Sequence, residues 1–191
     1  MAGITRNSDM MLSTASRMLD AVKQNPGSTH IAIAKALRTD SRYVDGKLNR
    51  LAELGMLRKE RDYRLVRYSL TDFGGEMLDA ANHLSTLTRE QGQHTIKLFT
   101  LSRVLDAVYR NYGIFKSHLV REVGTYASRH LQEHIAAMQS ADLLVIDEVP
   151  KSNVGGRGRR AKSCYLTEKS NRLILNFYKS EKWRAIVEGV Q

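Results

Sequence analysis

"LNRLAELGMLRKERDYRLVRYSLTDFGGEML", residues 48–78, changes its period twice. Through Leu54 it reads as the end of an amphipathic helix that starts at Arg42, with Val44, Leu48 and Leu51 as the apolar stripe and Gly55 as the stop. From 56 to 71 apolar and charged residues alternate around a charged centre, which predicts a hairpin. "TDFGGEML" then supplies a threonine cap and early acids for a further helix. Upstream, "RTDS" is a turn in which Asp40 or Ser41 can accept an orphan backbone N–H. "THIAIAKAL", 29–37, is a short helix, and residues 11–24 form an amphipathic helix with Met11, Ala15, Met18, Leu19 and Val22, halted by "NPG".

The same unit recurs. "RMLDAVKQN" at 17–25 returns as "RVLDAVYRN" at 103–111, and Gly27 and Gly113 keep the spacing of 86. At a spacing of 87, Val44, Leu48, Leu51, Met56 and Leu57 fall on Leu131, Ile135, Met138, Leu143 and Leu144. At 96, "LTD" (70–72) meets "LTE" (166–168). One unit of about 75 residues is present twice, a period that reads as two domains and not as a solenoid.

Three helices with a tight turn between the second and third, then a hairpin, is the winged helix-turn-helix order. In "L-x-x-x-G-x-L" and "L-T-x-x-G" the first unit resembles the MarR type, over residues 11–80 and more loosely over 97–178, where Asp142 and Ser170 stand in for Gly55 and Gly74. MarR proteins carry one such domain per chain and dimerise through terminal helices, so two units in one chain depart from that pattern. The expected fold is mainly α with small β-hairpin wings (α+β), as two winged helix-turn-helix domains. These span 8–82 and 97–180, joined by a linker or helical connection, 83–96, and followed by a helical tail, 181–191. Leu84 and Leu87 of the connection, and Leu173, Phe177, Trp183, Ile186 and Val187 near the end, are apolar sets suited to packing between the units or to homodimerisation.

Composition points to the partner class. Lys and Arg number 30 against 20 Asp and Glu, a net charge of +10 that suits a polyanion. Through Gln93 there are 14 basic and 11 acidic residues, and from His94 onward 16 and 9, so the second half carries most of the excess. No apolar signal core opens the chain and its aliphatic runs are too short to cross a bilayer, which predicts a cytoplasmic protein, on the nucleoid when bound to DNA. Cys164 alone excludes an internal disulfide and reads as a small packed side chain.

On the third helix, the face opposite the apolar stripe holds Arg42, Tyr43, Gly46, Asn49 and Arg50, and arginine and asparagine have the forks that match guanine and adenine edges. Gly46 weakens a helix by about 1 kcal/mol relative to alanine, which makes sense where another backbone comes close. Arg64 lies in the first wing. The matching helix of the second unit is expected to expose Tyr126, Arg129, His130, Glu133 and Ala137, a less plainly DNA-directed face because of the carboxylate. Its wing is nine residues longer, and "GGRGRRAK", 155–162, sets Arg157, Arg159, Arg160 and Lys162 at the tip, where arginines suit a minor groove and glycines permit close approach.

Enzyme signals are weak. "HLQEH", 130–134, fits the metal pattern H-x-x-E-H, yet Leu131 belongs to the core stripe and no third ligand is identifiable. "GGRGRRAK" lacks the P-loop consensus and precedes a strand. The reading is a non-catalytic, cofactor-free, sequence-specific double-stranded DNA-binding regulator, most simply a repressor, of bacterial, plasmid or phage type. The alternatives are a replication initiator or partition-type DNA-binding protein, and a tandem winged-helix interaction subunit similar to ScpB.

Overall fold

In the first unit the elements are α1 (Leu12–Gln24), β1 (Ser28–Thr29), α2 (His30–Leu37), α3 (Ser41–Glu53), β2 (Leu57–Asp62), β3 (Leu65–Leu70) and α4 (Asp72–Glu90). The second repeats them as α5 (Leu98–Arg110), β4 (Ile114–Phe115), α6 (Lys116–Val123), α7 (Ser128–Ser140), β5 (Leu144–Glu148), β6 (Lys162–Leu166) and α8 (Glu168–Lys179). This computed structural model describes residues 10–90, 96–123, 128–149, 161–181 and 183–184, with 89, 128 and 129 described by their backbone alone. Each unit closes with a three-stranded antiparallel sheet, in the orders β1-β3-β2 and β4-β6-β5. The protein is therefore mainly helical, with two winged-helix units in tandem. β1 and β4 are too short for any periodicity to announce them.

The repeated residues have repeated tasks. Asn25 Nδ2 donates to the Ala21 carbonyl at 3.1 Å, and Asn111 Nδ2 to that of Ala107 at 3.0 Å, so each asparagine ties off the end of its first helix. Asp40 Oδ1 accepts from the Tyr43 amide at 2.9 Å and caps α3. After the third helix Gly55 turns the chain at φ +81°, and Asp142 makes the same left-handed turn at +55°. Thr71 Oγ1 donates to the Gly55 or Met56 carbonyl, at 2.8 and 2.9 Å, and Thr167 Oγ1 to that of Asp142 at 2.8 Å. Beyond them the units diverge. A Cβ on Gly74 would collide with the Met56 carbonyl oxygen, whereas the matching Ser170 is fully buried and donates its hydroxyl to the Leu143 carbonyl at 2.5 Å.

Val44, Leu48 and Leu51, and their counterparts Leu131, Ile135 and Met138, are buried in one continuous apolar core that joins the units. The junction is reciprocal at its centre. Leu12 donates to the Ile96 carbonyl and Leu98 to that of Met10, both at 2.9 Å, and all four positions are related by the 86-residue offset. Beside it Phe73 meets Phe177 edge to face at 5.1 Å, Asn176 donates to Glu76 at 3.2 Å, and Ser180 Oγ donates to the Glu53 carbonyl at 3.0 Å. Trp183 is buried against Phe177 and Tyr178. Leu84, Leu173, Phe177 and Trp183 are thus consumed inside a single chain, while Ile186 and Val187 lie outside the described residues.

Two expectations are corrected. Met11, read as part of the apolar set of the first helix, is 43% exposed and stands at the N-cap of α1, where its backbone bridges to Lys97. Ala137 is fully buried, not exposed, because α4 extends to Glu90 and lies against α7.

Candidate nucleic-acid interface

Capping by Asp40 starts α3 one turn from the exposed residues Arg42, Tyr43 and Gly46. Lys47 stands beside them with its ammonium 5.4 Å from the centre of the Tyr43 ring, within cation–π range. A Cβ on Gly46 would meet nothing within 4 Å, so no packing inside the chain requires glycine there. Asn49 and Arg50 are half-buried and engaged. Asn49 Nδ2 donates to Asp45 at 3.1 Å, and its Oδ1 accepts from Lys59 Nζ at 2.6 Å and from the Tyr68 hydroxyl at 3.1 Å. Arg50 sits 3.7 Å from Glu53. The expected reading face thus divides into a solvent-facing part, Arg42, Tyr43 and Gly46, and a half-buried part in which Asn49 braces the wing and Arg50 pairs with Glu53 on its own helix.

That brace is a small network beneath the hairpin. Tyr68, on β3, is fully buried, and its hydroxyl also lies 3.3 Å from Asp45 Oδ1, which has His30 Nδ1 at 3.7 Å. Burial, and then the Asp45 charge, push the Tyr68 phenol up to about 12, so it stays a donor throughout the physiological range. Lys59 carries the brace out to β2, holding this side of the hairpin against α3.

Beyond Tyr68 the hairpin stands free in solvent. Its register runs from Leu57 opposite Leu70 to Asp62 opposite Leu65, leaving Tyr63 and Arg64 as a two-residue tip. Arg58, Lys59, Arg61, Arg64 and Arg67 are all exposed, against Glu60 and Asp62. Arg67 lies 3.5 Å from Asp62 and also donates to the Gly27 carbonyl at 3.1 Å. Tyr63 is 97% exposed, with φ at +56°, and Leu65 next to the tip is 47% exposed. A left-handed backbone costs a residue with a Cβ about 1–2 kcal/mol. Sequence reasoning singled out Arg64 and passed over Tyr63, whose position at the tip follows only from the strand register.

The second unit presents a different surface. With the 87-residue offset, Lys47 and Arg50 correspond to His134 and Ala137, both buried. His130 is half-buried with Nδ1 3.4 Å from Glu133. Lys162 opens β6 with Nζ 3.8 Å from Glu148. Tyr126, Arg157, Arg159 and Arg160 lie outside the described residues, as does the Arg129 side chain. On the outer face of the second sheet, Val145 pairs with Tyr165, and Tyr112, 87% exposed, meets Tyr165 edge to face at 5.1 Å, with Phe115 on the neighbouring strand. The matched outer face of the first sheet holds Thr29, Arg58, Glu60, Arg67 and Ser69. Cys164 is buried beneath the second sheet, and burial raises its thiol pKa.

Among the described residues no helix is long and apolar enough to cross a membrane. No protein-family profile matches the chain, and no curated protein matches it. Among solved structures it is similar to the crystal structure of ScpB from Mycobacterium tuberculosis, at 15% identity over 82% of this chain and 92% of that one, with a TM-score of 0.29. A likeness that loose bears on neither partner nor activity. The chain's own topology identifies it as a tandem winged-helix protein.

Proposed function

We propose that the chain binds double-stranded DNA through its first unit, laying the exposed face of α3 along a major groove and the first hairpin along the adjoining backbone. The observation that carries this is the continuity of one cationic surface. Arg42 and Lys47 on α3 are joined by the Lys59–Asn49 contact to a wing bearing Arg61 and Arg64, with Tyr43 and Tyr63 exposed among them. Gly46 fits the same reading, since a helix glycine with open space around it allows a foreign backbone to approach. Arg42 is the base reader we assign on α3. Its freedom contrasts with Asn49, whose amide donates to Asp45 on the same helix and whose carbonyl oxygen accepts from Lys59 and Tyr68 of the wing. In this role the protein is a regulator that acts by occluding a promoter, and the long basic wing of the second unit adds phosphate contacts.

The test is binding to duplexes selected from a random pool, across a salt series. Replacing Arg61 and Arg64 together by alanine should reduce the slope of log K against log salt by about 0.9 for each phosphate no longer neutralised. Replacing Arg42 should narrow the gap between selected and random duplex by roughly 1–3 kcal/mol. Unchanged values in both variants would remove the first unit from the interface.

A second reading, a protein-interaction subunit, rests on the outer face of the second sheet. Tyr112, Phe115, Val145 and Tyr165 form an aromatic patch of the composition that protein interfaces favour at their hot spots. Wild-type protein with no duplex affinity above that of a matched neutral protein would favour this reading over the first.

A further inference from the structure

We propose that Tyr63 is a wedge that stacks against a base step from the minor groove, with Leu65 beside it and the cations of Arg61 and Arg64 on the flanking phosphates. This rests on the DNA reading above and assigns the wing tip an interaction that charge alone does not supply.

Four features of the tip lead there. Tyr63 is 97% exposed and, among the described residues, has no hydrogen-bond or ring partner, so the fold makes no use of its phenol. Its φ of +56° is the left-handed region, and the first central position of a two-residue hairpin loop ordinarily falls to Gly, Asn or Asp. A tyrosine held there is a backbone outlier of the kind that gathers at binding sites. The hairpin behind it is stiff, with six residue pairs in register, a third strand at its base and the Lys59 brace to α3, so the ring is presented and not merely tethered.

The charge pattern selects the partner. Arg61 and Arg64 flank the ring, and the nearest acid, Asp62, has Arg67 at 3.5 Å, which offsets its repulsion of phosphates. Two apolar side chains on a narrow cationic ribbon are too small an area for a protein hot spot, which needs a desolvated centre and a surrounding rim. They match the size of a side-chain wedge between base steps, where an apolar or aromatic group partly unstacks the duplex and bends it.

The experiment uses the full chain and a duplex selected by the wild type, with Tyr63→Gly, Tyr63→Phe and Tyr63→Trp variants. Tyr63→Gly should fold at least as stably as the wild type, because glycine accepts the left-handed turn. Its duplex affinity should nevertheless fall by roughly 10- to 100-fold, the scale of one aromatic stack. The slope of log K against log salt should stay at the wild-type value, since every phosphate-facing cation is kept. Tyr63→Phe should bind as the wild type does. In Tyr63→Trp the fluorescence of the introduced indole should be quenched by duplex, against a constant background from buried Trp183. Affinity of Tyr63→Gly within about twofold of wild type, while Arg61→Ala/Arg64→Ala lowers the salt slope as expected, would overturn the wedge and leave the DNA reading standing. Tighter binding to the single strand than to the duplex, with the same dependence on Tyr63, would overturn insertion between paired bases. Wild-type indifference to every duplex would bring down the DNA reading and the wedge with it.

Discussion

Tyr68 shows how a single residue couples the reading helix to its wing. It is buried, donates toward Asp45 and Asn49, and keeps its proton up to about pH 12, while an unfolded chain releases a tyrosine proton near 10. Between those values the unfolded state binds fewer protons than the native state, so rising pH favours unfolding. Stability is complete below pH 10 and should decline above it by up to about 1.4 kcal/mol per pH unit from this group. Urea denaturation at a series of pH values from 9 upward checks it: Tyr68→Phe should lose about 1 kcal/mol at pH 8 and show a shallower alkaline decline than the wild type. An identical decline in the two proteins would mean that Tyr68 ionises freely in the folded state. The residue was legible only as an apolar strand position. Its partners are 19 and 23 positions away, and nothing local in "RYSL" pairs it with Asp45 and Asn49.

At the scale of elements, α3 and the first hairpin were readable because their signals are local. The Asp40 cap, the Val44, Leu48 and Leu51 stripe, the Gly55 stop and the alternation that follows all lie within one continuous stretch. Gly46 is the residue whose meaning depends on a partner. With nothing within 4 Å of a methyl added there, Gly46→Ala should stabilise the fold by about 1 kcal/mol through helix propensity alone. The same substitution should weaken duplex binding where a DNA backbone approaches the helix. Thermal melts and duplex titrations of this one variant separate the two effects. A higher melting temperature with unchanged affinity would place the middle of α3 outside the interface. In α7 the corresponding arc was misread at Ala137, since periodicity marks which residues share a face but not how many faces are covered.

The whole molecule is built from two copies that share one core. The reciprocal Leu12–Ile96 and Leu98–Met10 bonds and the Phe73–Phe177 pair join the copies through a continuous core, and Trp183 closes it from the C-terminal side. Phe177 is buried in that junction against Phe73 and Trp183, so Phe177→Ala should cost about 3–5 kcal/mol. Because the units share the core, the loss should appear as a single cooperative transition, with Trp183 fluorescence and far-ultraviolet circular dichroism changing together. Two separated transitions in the wild type would show that each unit folds independently of the junction. At this scale the copies have also divided their surfaces: the first keeps an open, cationic helix and wing, and the second buries His134 and Ala137 and turns an aromatic sheet face outward.

The amino-acid sequence alone determined the duplication, the helix-turn-helix order and the hairpin of each unit, because caps, turns and apolar periods act between near neighbours. It also marked Arg42, Tyr43, Gly46, Asn49, Arg50 and Arg64 as a set turned away from the core, since a helix or hairpin with one buried stripe must show its other side. Tertiary structure decided which of those side chains are free. Asn49 is occupied by Lys59 and Tyr68, Tyr63 is thrust to the tip by strand register, and α7 is covered by a helix from the other copy. The physical reason is range: each of these outcomes depends on contacts between residues far apart in the chain, and such contacts exist only once the two copies have packed.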